Sequence, residues 1–173
     1  MTTEGTTEDR ERADFLEALA SHRGFLLRTV RDLTDEQART RTTVSALCLG
    51  GLIKHLSRVE RNWADFIVRG PQALSSGGED AGAEHEASFC MGEDETLAGL
   101  LSRYEEVARA TEQLVISLPS LDRSQPLPPA PWFAPGARWS ARRVLLHLIG
   151  ETAQHAGHAD IIRESLDGAK TMG

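Results

Sequence analysis

The sequence predicts an all-α domain, a four-helix bundle with long connections rather than a simple up-down one. Apolar residues recur with a period near 3.6 in four long segments, and no segment keeps up the alternation of a half-buried strand. With 173 residues, 40% of them hydrophobic, the chain is long enough for one domain with a substantial core. Residues 10–168 are read as that domain and residues 1–9 as a disordered N-terminus.

The first helix is expected over about 8–33, with Phe15, Leu19, Leu26 and Leu33 on one stripe. TDEQAR then reads as a short capped turn opening a connection that runs to about Leu47. The second helix covers about 48–69, with Leu52, Val59, Trp63 and Phe66 on its apolar face, and stops at Gly70-Pro71. A connection rich in Gly, Ser and acids occupies 70–92. The third helix is expected to start near Asp94, with acids in its first turn, and to run to Leu118 through Leu97, Leu101, Tyr104, Val107 and Leu114. The next connection holds six of the seven prolines and two tryptophans. Ser140 is the expected N-cap of a last helix that ends at Gly168. Helix links in bundles are usually ~2–8 residues, so connections this long are expected to carry a crossover, a binding mouth, or both.

Charge narrows the function classes. Nineteen Lys and Arg against 26 Asp and Glu give a net charge of -7, so no overall basic field exists to attract nucleic acid or an anionic membrane. The polar, acidic start and the absence of an apolar run of ~18 residues point to a soluble, cytoplasmic protein. Cys48 and Cys90 stand in unlike contexts, ALCLGG and SFCMG, and read as ordinary small apolar residues rather than a disulfide or metal pair.

The last helix carries the chemistry. At about 100° per residue, Val144, Leu148, Glu151, His155, Ala159, Ile162 and Leu166 fall on one narrow stripe, so Glu151 and His155 interrupt a core-facing row. A buried carboxylate needs a cation, a strong donor or a raised pKa, and a histidine one turn away on the same face is placed to share a metal with it. His55, at the edge of the second helix's apolar stripe, is the candidate third ligand. Two imidazoles and a carboxylate leave a coordination position open, as catalytic sites do, and suit zinc, nickel, manganese or non-haem iron. A lone inward histidine is more often a hydrogen-bonded core residue, and it is the pair on one buried stripe that favours ligation. A metal-free network joining Glu151 to His55 or His155 is the blander alternative.

The remaining histidines divide by position. His22, between Leu19 and Leu26, should face the bundle interior, where it could line a pocket. His158 flanks the stripe and is the other pocket candidate, while His147 is assigned to the surface and His85 to solvent. Arg58, Arg142 and Arg143 are the cations that could meet an anionic substrate or thiol, although exposed arginines need no such role. Gly150, Ala153 and Gly157 lie on the opposite face of the last helix, where small residues permit close approach of another helix, so a homodimer contact is expected there.

At these residues the chain resembles a known family. CLGGLIKHLSRVERNW is similar to the second-helix signature of the DinB-like (DinB/YfiT) superfamily, in its actinobacterial-type branch, with Leu49-Gly50-Gly51-Leu52 before His55 and Glu60-Arg61 and Trp63 after it. WSARRVLLHLIGETAQHAGHADIIRESLDG is similar to that branch's last helix, ETAQHAGHAD being the most distinctive part. The resemblance spans about 10–168 and implies a bundle of non-simple topology, often dimeric, with a divalent metal between helices. Many members carry three histidine ligands; at the matching positions this chain has His55, Glu151 and His155. Glutamate in place of the first histidine of the pair resembles the mycothiol-dependent maleylpyruvate isomerase group, where His, Glu and His bind zinc. The resemblance therefore implies zinc, mycothiol or another low-molecular-weight thiol as cosubstrate, and transfer to, or isomerisation of, a small electrophilic substrate. A non-catalytic metal-binding or stress-response bundle is the alternative.

Overall fold

The computed structural model describes residues 6–74 and 86–171. Its long helices are α1 (Thr7–Thr29), α3 (Leu49–Arg69), α4 (Leu97–Ser117) and α5 (Ala141–Asp167), with a short α2 (Asp35–Arg39) between the first two. Side-chain caps start each of them. Thr6 and Thr34 form capping boxes with Asp9 and Gln37, and Thr96 and Ser140 accept from the amides of Gly99 and Arg143. Cys48, read from sequence as a plain apolar residue, is the N-cap of α3, its sulfur accepting from Gly51 N–H.

Several boundaries differ from the sequence reading. The expected disordered leader falls partly in the described residues, and there Thr6 caps α1 while Thr7–Asp9 form its first turn; residues 1–5 lie outside the described ones. Helix α1 stops at Thr29 rather than Leu33, because Asp32 turns the chain with a φ of 60° into the Thr34 cap. Helix α4 opens at Leu97, not near Asp94, since Glu95 bends back to the Gly92 N–H and to Lys54 and Thr96 takes the cap. The proline-rich connection holds a short hairpin that periodicity does not signal: Ser124–Pro126 pairs antiparallel with Arg138–Ser140, Gln125 opposite Trp139. Gly168, at a φ of 80°, ends α5 as expected.

The packing bears out an all-helical bundle of non-simple topology. Helix α5 packs along α1 and α3, and α3 along α4; the consecutive long helices α1 and α3 are not principal neighbours. The apolar core forms two clusters. One gathers Leu26, Leu52, Leu56, Tyr104, Ala156 and Ile162, the other Leu19, Phe66, Val115, Val144 and Leu148. Each long helix contributes to both and carries a buried polar residue where it passes from one to the other: Arg23, Glu60, Thr111 and Thr152. Among the described residues no helix is long and apolar enough to cross a membrane.

Candidate metal centre

Beside this polar waist, α3 and α5 bring His55, Glu151 and His155 together, with one ligand atom from each lying within 4.8 Å of the others. His155 Nε2 stands 3.7 Å from Glu151 Oε2. Bonds of about 2.0–2.2 Å to a tetrahedral ion put its ligand atoms roughly 3.4 Å apart, so small side-chain rotations bring this set to coordination distance. The donor set therefore fits a divalent metal.

Each imidazole has a partner that orients it. His55 is 4% exposed, and its Nδ1 lies 3.0 Å from Ser88 Oγ. With the proton on Nδ1 donated to Ser88, the lone pair sits on Nε2, the arrangement a metal-ligating histidine needs. Phe89 stacks on the same ring at 3.9 Å and 20°. The contact depends on Gly50 and Gly51. A Cβ on Gly51 would run into the Phe89 carbonyl and one on Gly50 into the Met91 side chain, so these glycines let segment 86–92 lie against α3. His155 Nδ1 is 3.3 Å from His158 Nδ1, and burial, helped by the charge of His158, pushes the His155 pKa down to about 4. Its neutral, ligating form therefore prevails at neutral pH.

His55 and Glu151, together with Ser88, line a cavity of about 750 Å³, while His155 is not among its lining residues. Trp63 and Val59 form part of its wall, and the hairpin loop carrying Pro128–Phe133 overhangs it, Trp132 being 77% exposed. Trp63 stacks on Trp139 at 4.8 Å, and His147 meets both tryptophans edge-on.

His22 and His147 depart from the sequence reading. His22 does not reach the site: it packs near Phe25, and the interior position one residue on belongs to Arg23, whose guanidinium pairs with Glu60 and Glu112. A guanidinium with two carboxylate partners has more to gain from that position than an imidazole without one. His147, read as a surface residue, lines the cavity with Nε2 3.8 Å from Glu151 Oε1. Burial first, then Arg143, lowers its pKa. The signal that could have found it is the i,i+4 spacing to Glu151, the same spacing that singled out His155. His158 touches His155 but is not among the residues lining the cavity. His85 lies outside the described residues. Of the arginines, Arg58 lines the cavity, Arg142 is engaged by Glu11 and Asp122, and Arg143 sits over the Trp139 ring at 4.2 Å. Cys48 and Cys90 are free thiols.

The sequence model of a protein family described as mycothiol-S-transferase matches residues 14–168. No curated protein matches the chain.

Proposed function

Since the chain belongs to the mycothiol S-transferase family, we propose that it is a divalent-metal enzyme that joins the sulfur of a mycothiol-type thiol to a small electrophile, with His55, Glu151 and His155 as ligands and zinc as the metal. The observation that carries this reading is the convergence of the three ligand atoms beside a cavity that His55 and Glu151 line together with Trp63, Trp132 and Phe133. A divalent ion held there would leave a coordination position for the thiol and hold it deprotonated.

The chain's own residues do the rest. Ser88 and His158 orient the two imidazoles. Trp63 and His147 line the cavity, and Trp139 stacks on Trp63 and meets His147 edge-on, which holds both rings in place. His147, kept neutral by burial and Arg143, stands beside Glu151 without taking up its charge. A new sulfur–carbon bond forms on the electrophile. A leaving group departs with its electron pair, or the pair of a double bond shifts and takes up the thiol's proton.

Elemental analysis of untagged protein should find close to one metal per chain, lost in His55→Ala. Substoichiometric metal that His55→Ala leaves unchanged would defeat the ligand set. With metal present, consumption of mycothiol against a panel of electrophiles should exceed background. Background rates throughout would favour a metal-binding bundle without catalysis.

The reading includes one cytoplasmic domain over 10–168 and a homodimer through the back of α5. Gly150 and Gly157 have open space where a Cβ would stand, and Leu146 and Ile161, 51% and 61% exposed, continue the same stripe. Small residues around Ala153 with a large apolar residue at each end make a nearly palindromic face, which suits a two-fold contact between identical helices.

A further inference from the structure

A second cavity, of about 280 Å³, opens on the other side of Arg58 and Ser88, which line both it and the cavity above the cluster. Its charged lining is cationic: Lys54, Arg58, Arg61 and Arg103. The chain as a whole carries -7, so this groove runs against the general charge. Lys54 is matched by Glu95 at 2.8 Å, whereas Arg61 and Arg103 form no ion pair within 4.0 Å among the described residues.

The floor of the groove supplies an independent sign. Ser57, 2% exposed, lines the groove, and its Oγ has no hydrogen-bond partner among the described residues. A buried hydroxyl left unsatisfied is costly, and the chemistry that resolves it beside Arg61 and Arg103 is an oxyanion that accepts from Ser57 and neutralises these two guanidiniums.

We propose that this groove binds a carboxylate or phosphate group of the substrate whose reactive carbon enters the neighbouring cavity. The placement rests on the thiol-transfer reading; the anion site itself does not. Ser88 ties the two together, since it lines the groove while its Oγ meets His55 Nδ1. An anion seated at Ser57 therefore lies one side chain away from a proposed ligand.

Calorimetric titration of the full chain with succinate and, separately, with inorganic phosphate tests the site, each before and after metal removal by chelation. Binding should survive chelation, weaken about threefold or more in Ser57→Ala and about tenfold in Arg103→Gln, and leave metal content unchanged. The tighter of the two probes identifies the group. Binding that vanishes with the metal would put the anion on the ion instead, and absent binding, or binding unaltered in both variants, would equally overturn the site. With turnover in hand, Arg103→Gln should raise KM about tenfold for a carboxylate-bearing electrophile and leave its methyl ester unaffected; equal effects on both would refute the link to the substrate. Wild-type protein without thiol turnover would count against the thiol-transfer reading, while the titrations would still decide the groove.

Discussion

Gly51 shows how one hydrogen in place of a methyl group can decide a site. A Cβ there would collide with backbone rather than with a flexible side-chain end, so the 86–92 segment would have to move off α3, taking Ser88 and Phe89 away from His55. Gly51→Ala should destabilise the protein by about 1–3 kcal/mol in denaturant unfolding and also lower metal affinity, although it touches no ligand. Unchanged metal affinity would mean that His55 is positioned without those contacts. His158→Phe probes the other imidazole: it removes the partner of His155 Nδ1 and should cost roughly 10–100-fold in metal affinity by competition with a chelator dye. The pairing of Glu151 with His155 is legible in the sequence because the two share a stripe, and periodicity reports relations of that kind within one helix. Ser88 and Phe89 are not legible. They belong to a connection, and only the pair of glycines on α3 hints that backbone approaches there.

The helices also meet through charge. Arg23 and Glu60 are buried together at the waist, where all four long helices exchange one apolar cluster for the other. Glu60 alone would be stranded in a low dielectric, whereas Arg23 alone would keep Glu112, so Arg23→Ala should cost about 3–5 kcal/mol and Glu60→Ala less, while replacing both by well-fitting apolar residues should cost far less than Arg23→Ala. Additive losses in denaturant unfolding would show that the two do not act as a pair. Periodicity misplaces His22 at this waist, because a helical period assigns Arg23 and His22 almost equal claims to the interior and cannot see the carboxylates on α3 and α4 that decide between them. At the surface, Arg142 joins α5 to Glu11 of α1 and holds the Glu11 carboxyl below its ordinary value of 4.5. A depressed carboxylate contributes stability that is present above its unfolded pKa and lost as the pH falls through the folded one. Glu11→Gln should therefore lower Tm slightly at neutral pH, and the difference from wild type should close in the acid range below 4.5; a difference that persisted there would rule out the ion pair as its source.

At the scale of the whole molecule, the four long helices and the Glu151–His155 pair are readable because both follow from helical period, whereas His55, on another helix, joins the pair only through its place at a stripe edge and the family resemblance. The groove, the overhanging hairpin loop and the place of His147 are not, because they arise where connections fold over helices and no period applies. The back of α5 lies on the readable side of that division. Leu146, Gly150, Ala153, Gly157 and Ile161 recur at helical spacing on a face with open space beyond its glycines, so apolar area stays in water unless something covers it. A second copy of the same face fits best: the glycines allow the two helices to approach closely, and the flanking Leu146 and Ile161 of each copy then cover the ends of the other. Gly157→Leu places a large side chain at the closest approach, while inside the monomer a Cβ at this position meets no atom within 4 Å. Sedimentation should therefore give a dimer for wild type and a monomer for the variant, with unchanged helix content and metal content, because the cluster faces the opposite way. A wild-type monomer, or a dimer that Gly157→Leu leaves intact, would reject this face as the contact.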